Sequence, residues 1–210
     1  MKIGVLALQG DFVEHIAVLR NLGAETSEIR LPEQLQDLDG LVIPGGESTT
    51  ISRLLDRWQL IEPIRQRARA DDKQMAVWGT CAGAILLAER SPDLDREGLR
   101  LMDISVERNS FGRQVDSFET EIDVPVFDGP AFCAVFIRAP RIIDVGGAAT
   151  ALARLEDGTI VAAQQARLLA TVFHPELTDD VRFHELFLEL ATKSAVPQAA
   201  SASGTAGKTA

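Results

Sequence analysis

Strand-like and helical segments alternate through the first half of the chain, and a run of short strand-like segments follows with no helices between them. This predicts an α/β fold: a three-layer arrangement with a mostly parallel central sheet flanked by helices, and antiparallel strands added in the second half. A third observation organises the rest. Met75-Ala76-Val77-Trp78 is an apolar strand-like run that stops at Gly79, and Gly83 opens a second apolar run, Ala84-Ile85-Leu86-Leu87-Ala88, of helical type. Strand, sharp turn and helix in this order form the pattern of a nucleophile elbow. Small residues stand two places either side of its nucleophile because the strained turn has no room for larger ones. The residue at the apex is Cys81.

Taken in order, residues 3–8 read as a buried strand. Residues 12–22 read as a helix with Phe12, Ile16, Leu19 and Leu22 on one face and Gly23 as its stop. Residues 25–31 alternate weakly and form a second strand ended by Pro32. Leu41-Val42-Ile43 is a third, running into Pro44-Gly45-Gly46-Glu47-Ser48-Thr49-Thr50. The next helix places Ile51, Leu54, Leu55 and Trp58 on one face, and residues 61–70 form another before the elbow. Beyond Leu101 the strand candidates are 104–106, 119–124, 131–137, 149–155, 159–165 and 168–173, with Glu156-Asp157-Gly158 as a hairpin turn. A helix over 179–192 buries Phe183, Leu186, Phe187 and Leu190. Residues 1–193 form one domain. Residues 194–210, small and polar without periodicity, read as a disordered tail.

The 210 residues, 46% of them hydrophobic, suffice for one well-buried core. No apolar stretch approaches the ~20 residues needed to span a bilayer, and the start lacks a cleavage site; a cytoplasmic location is expected. The two cysteines make no disulfide framework. A net charge of −10 argues against nucleic acid or an anionic membrane as partner. The chain has no tyrosine and only three histidines, His15, His174 and His184, so the search for a catalytic imidazole is short.

A catalytic thiol needs a base or a helix N-terminus to favour its anion. The elbow supplies the helix, and Phe173-His174-Pro175-Glu176 supplies base and orienting carboxylate together at the end of an apolar strand. Pro175 is expected to keep the pair extended, so that Glu176 reaches one ring nitrogen of His174 while the other faces Cys81. The backbone N–H of Ala82 is one oxyanion donor. The second comes from the Gly45-Gly46 turn, which also reads as a plain strand-to-helix turn with Ser48 as N-cap. A phosphate-binding loop is disfavoured because the lysine of that pattern is missing. Cys133 reads as a core residue, and His15 and His184, beside Glu14 and Glu185, as solvated helix faces. No pair of histidines or cysteines has metal-ligand spacing, and no metal is expected.

Gly79-Thr80-Cys81-Ala82-Gly83 together with His174-Pro175-Glu176 resembles the triad-type (class I) glutamine amidotransferase domain, a flavodoxin-like fold. Three further stretches resemble, more narrowly, the glutaminase subunit of pyridoxal 5′-phosphate synthase (the PdxT family). These are Ile3 through Asp11, Pro44 through Thr49, and Glu107-Arg108-Asn109-Ser110-Phe111-Gly112-Arg113-Gln114; Phe136-Ile137-Arg138-Ala139-Pro140 adds to them. The resemblance spans residues 2–193. It implies hydrolysis of L-glutamine to glutamate and ammonia, and passage of the ammonia to a separate synthase subunit that builds pyridoxal 5′-phosphate. Carried over by position, it implies Cys81 as nucleophile, His174 as base and then acid, and Glu176 as its orienter. Gly46, Glu47 and Ser48 become the substrate-contacting turn, Arg108 a glutamine contact and Ile137-Arg138 a further contact segment. A guanidinium suits the α-carboxylate of glutamine because it pairs bidentately; otherwise Arg108 is a surface cation and Arg138, near Pro140, a buried ion-pair partner. No cofactor is implied, since the product forms on the partner. Two other readings stay open: a glutaminase serving another synthase, as in purine or histidine biosynthesis, and a non-catalytic interaction protein whose Cys81 senses oxidants.

Overall fold

The computed structural model describes residues 1–94, 96–108 and 117–192. Part of the quoted family motif (109–114) and the tail lie outside the described residues. The chain opens with strand β1 (Lys2–Leu6), helix α1 (Phe12–Asn21), β2 (Glu25–Ile29) and β3 (Gly40–Ile43). Helices α2 (Ser48–Arg57) and α3 (Ile61–Arg69) follow, then β4 (Ala76–Thr80) and α4 (Ala82–Leu87). The second half contains β5 (Ala88–Arg90), β6 (Met102–Glu107), β7 (Ser117–Ile122), β8 (Phe132–Ile137), β9 (Arg141–Val145), β10 (Thr150–Arg154), β11 (Ile160–Gln165) and β12 (Leu168–Thr171). It closes on α5 (Arg182–Thr192).

The large sheet runs in the order β2-β1-β3-β4-β12-β11-β9-β6-β5. Its first five strands are mutually parallel, in the order expected of a flavodoxin-like sheet. The antiparallel additions are β11 against β12, β9 against β11 and β6. Strand β10 pairs on β11, and β7–β8 forms a separate two-stranded sheet. The Leu155–Thr159 hairpin turns at Gly158 as expected. Strands β5 and β9 were not expected from the sequence.

Strand β4 shows why three layers form. Successive strand residues face opposite sides. Trp78 points to α1 and α5, touching His15, His184 and Phe187, whereas Gly79 lies against Gly83 and Ala84 of α4. Helix α2 packs on α4. A helix of six residues is unstable alone; α4 persists because all six, Ala82 to Leu87, are buried. Each residue of β3 and β4 is buried too, the mark of a strand covered on both faces.

Three packing expectations are corrected. Helix α2 ends at Arg57, so Trp58 falls beyond it and is 44% exposed; the buried face is Ile51, Ser52 and Leu55 with Ser48. Cys133 is exposed, because β8 turns Phe132, Ala134 and Phe136 inward and alternation puts Cys133 outside. His15 and His184 are fully buried rather than solvated. Among the described residues, no helix is long and apolar enough to cross a membrane.

Candidate active site

Loops leaving the C-terminal ends of β1, β3, β4 and β12 meet at one edge of the parallel sheet, where α/β folds collect ligand-binding groups. The apex of the elbow, Cys81, is the residue before α4. Its backbone sits at φ 48°, ψ −107°, a strained conformation for a residue with a side chain. The tight turn needs the flanking glycines: a Cβ on Gly79 would lie 2.4 Å from the Gly83 carbonyl oxygen, and one on Gly83 would lie 2.0 Å from that of Ile43. The Cys81 N–H donates to Thr171 O (2.8 Å), which ties the elbow to β12.

His174 follows β12 by three residues, and its N–H donates to Val135 O of β8 at 2.8 Å. Phe173, beside it, is fully buried among Phe132, Phe136 and Phe183, with ring centroids 5.2–5.7 Å apart. This aromatic cluster fixes the base of the imidazole. The backbone beyond His174 is not extended as expected. Pro175–Leu177 forms a short 3-10 turn, which proline favours at its first position. The turn folds Glu176 back under the ring, so that His174 Nδ1–H donates to Glu176 Oε1 at 2.7 Å. Burial opposes the charged ring, but the hydrogen bonds and charges of Cys81 and Glu176 raise His174 to about 10. An imidazolium favours the anionic form of a neighbouring thiol. Burial pushes the Glu176 carboxyl up, with His174 acting in the opposite sense.

Cys81, Ala82 and His174 line a cavity of about 440 Å3, within the ~300–1,000 Å3 range of small-molecule sites. Of the sequence-predicted contacts, Gly46, Glu47, Ser48, Arg108, Ile137 and Arg138 all line it as well. Arg108 lies 3.1 Å from Glu47 Oε1, and its backbone N–H donates to Asp93. Arg138 is exposed at the cavity with φ 43°, not buried in an ion pair. Ser48 is not the N-cap of α2: it is buried, and among the described residues its hydroxyl has no hydrogen-bond partner. Sequence reasoning assigned no role to Gln9 or Asp11. The Gln9 side chain accepts the Glu47 N–H at 2.7 Å. Asp11 Oδ2 stands 3.6 Å from His174 Nδ1, and the Asp11 N–H donates to Gly45 O at 3.3 Å. Among the described residues, one group, Asp11, His174 and Glu176, brings three possible metal-ligating atoms within 4.8 Å. A protonated His174 bonded to Glu176 has no lone pair on Nδ1 to offer a cation.

The N-cap of α2 is Glu47. Its carboxylate accepts the N–H groups of Thr49 (3.2 Å) and Thr50 (2.7 Å) and both threonine hydroxyls (2.6 and 2.8 Å). Burial works in the opposite direction, but these four bonds bring its pKa down to about 2. A carboxyl depressed on folding stabilises the protein fully above its unfolded pKa, and that stabilisation is lost as pH falls through about 2. Glu47→Ala should therefore cost about 1 kcal/mol at neutral pH, a value typical of a cap and limited by solvent screening. In urea unfolding, the gap between variant and parent should close only as pH approaches about 2.

Fold and site together define a class: α/β proteins that carry an elbow cysteine beside a histidine–carboxylate pair. The chain belongs to the SNO glutamine amidotransferase family, whose model matches residues 5–193. It is 60% identical over 193 residues to the pyridoxal 5′-phosphate synthase subunit PdxT of Herpetosiphon aurantiacus and 58% identical over 193 to that of Chloroflexus aurantiacus. Each match covers 90% of this chain and 100% of the relative. A crystallised glutamine amidotransferase is similar with a TM-score of 0.84 and 45% identity, over 90% of this chain and 98% of that one. PurLQS from Thermotoga maritima, at 14% identity and TM-score 0.64 over 90% and 97% of the two chains, shares the fold alone.

Proposed function

We propose that this chain is the glutaminase of a pyridoxal 5′-phosphate synthase, working through a Cys81–His174–Glu176 triad. The observation that carries this reading is the buried His174–Glu176 pair at 2.7 Å, set beside Cys81 on a strained elbow at the cavity. The Cys81 sulfur attacks the carboxamide carbon of L-glutamine. The oxyanion that develops is held by the N–H groups of Ala82 and Gly46. His174, the base that takes the thiol proton, gives it to the departing nitrogen as the C–N bond breaks, releasing ammonia and leaving a thioester. Water, deprotonated by His174, then attacks the thioester; glutamate leaves and the proton returns to sulfur.

The cavity suits a zwitterionic amino acid. Arg108 and Arg138 stand for the α-carboxylate, Asp11 and Glu47 for the α-ammonium, and the Ser48 hydroxyl has a free hydrogen-bonding capacity. Ammonia passes to a synthase subunit in a hetero-oligomeric complex. Docking of that subunit sets the orientation of the Gly45-Gly46 peptide, since a glycine at φ 150° accommodates either orientation.

The test is glutamate release by the purified chain with and without the synthase subunit, together with labelling by a glutamine-like diazo ketone. The rate is expected to rise about tenfold or more on docking, as a partner that selects a minor conformation produces, and the label to sit on Cys81. A free subunit as fast as the complex would overturn the docking step; an unlabelled Cys81 would overturn the nucleophile.

A further inference from the structure

The triad has a buried second layer that its chemistry does not use. Glu176 presents Oε1 to His174, but Oε2, fully buried, has no aligned hydrogen bond among the described residues. Facing Oε2 at 3.3 Å is Nε2 of His15, from α1. The same nitrogen is 3.3 Å from the hydroxyl of Thr80, the residue before Cys81. The other nitrogen of the His15 ring, Nδ1, lies 3.0 Å from Nε2 of His184, from α5. His184 Nδ1 is buried, and among the described residues it has no hydrogen-bond partner. Both rings are fully inaccessible and pack edge-on against Trp78.

Proton counting selects one arrangement. Burial, and after it His184 and His174, hold His15 well below the usual imidazole range, and burial holds His184 at about 4. Each ring is therefore neutral and carries one N–H. The 3.0 Å contact needs one donor and one acceptor. If His15 donated from Nδ1, the lone pair on its Nε2 would face the Glu176 carboxylate, and the His184 proton would sit on Nδ1, a buried donor with no acceptor. If His184 donates from Nε2, His15 carries its proton on Nε2, toward Glu176 and Thr80. Only a lone pair on His184 Nδ1 is then left unpartnered, the milder of the two defects.

We propose that His15 is a positioning residue of the triad: its Nε2–H, in hydrogen-bond range of the Thr80 hydroxyl and 3.3 Å from the second oxygen of Glu176, turns a positive dipole toward that oxygen and favours the carboxylate, and His184 fixes the tautomer that lets it do so. The inference rests on the triad reading above. The titratable groups facing Glu176 are His174, His15 and Asp11; those facing His15 are His184, His174 and Glu176. With Oε2 so faced, Glu176 stays ionised and accepts the Nδ1–H of His174 throughout turnover. Without the Nε2–H, burial favours a proton on Glu176 and weakens its hold on the ring.

The test uses the complex with its synthase subunit. His15→Leu should lower kcat for glutamine about tenfold with little change in KM, the size of one lost donor dipole 3.3 Å from a buried charge. The acid limb of its pH–rate profile should move up by about one unit. His15→Gln, whose amide can place a donor at the same point, should restore most of both. A packing role alone would leave the acid limb in place, so an unmoved limb in His15→Leu, or a His15→Gln as impaired as His15→Leu, overturns the proposal. Nitrogen-15 spectra of the parent protein supply a readout that needs no variant: His15 protonated on Nε2 supports it, and His15 protonated on Nδ1, as a protonated Glu176 would require, overturns it. A Cys81→Ala variant separates the two levels of argument. If it turns over, the triad reading fails; if it is dead while His15→Leu behaves as the parent, this inference alone fails.

Discussion

Cys81→Ala should abolish glutamate and ammonia release, lowering kcat by roughly four orders of magnitude or more, as loss of a covalent nucleophile does. Folding and docking to the synthase subunit should survive. The sulfur's polar contacts among the described residues are the weak one 4.0 Å from Ile137 O and the one with His174, and neither ties one element of the fold to another strongly. Alanine inherits the same backbone strain at φ 48°. Cys81→Gly, equally inactive, should therefore be the more stable of the two by about 1 kcal/mol, because glycine relaxes that strain. Denaturant unfolding checks the order, and glutamate release with the synthase present checks the loss. Turnover retained in either variant would remove Cys81 from the reaction. Adding His174→Ala to Cys81→Ala should cost almost nothing further, since the members of a triad fail as a unit.

The elements that hold this site were legible because buried parallel strands are short apolar runs ended by glycine or proline. β1, β3 and β4 announce themselves in that way, and the elbow was readable from Gly79 and Gly83 alone. β9 was not: Arg141 and Asp144 interrupt its apolar residues, and its pairing with β6 and β11 supplies what local pattern lacks. The second layer of the site was misread for a different reason. Glu14 and Glu185 beside the two histidines suggested water, yet helical period puts His15 on the stripe of Ile16 and Leu19, and His184 on that of Phe183, Phe187 and Ala191. Period, not neighbours, carried the signal. Strand alternation likewise placed Cys133 outside once Phe132 and Phe136 were assigned to the core. The cap at α2 was misassigned because Ser is a preferred N-cap type and Glu is not, yet it is the Glu47 carboxylate that accepts the Thr49 and Thr50 N–H groups.

Gly83→Ala separates local propensity from tertiary fit, and its expected sign runs against the helix scale. Alanine in a helix interior is ordinarily favoured over glycine by about 1 kcal/mol. In α4 the new methyl would lie 2.0 Å from the carbonyl oxygen of Ile43 and 2.9 Å from its carbon. That backbone belongs to β3, hydrogen-bonded between β1 and β4, so it retreats only by straining both pairings. Overpacking of this kind costs about 1–3 kcal/mol, and the variant should be destabilised by an amount near the upper end. Gly147→Ala is the control, since nothing lies within 4 Å of its Cβ position. The loss of activity should exceed what the loss of stability explains. Ile43 leads directly into Pro44-Gly45-Gly46, so a methyl that pushes β3 from α4 shifts that turn relative to Ala82, and the oxyanion proposed to be held by the Ala82 and Gly46 N–H groups would lose its geometry. A Gly83→Ala protein that is fully folded under assay conditions yet turns over as fast as the parent would show that the two donors are not coupled through this contact.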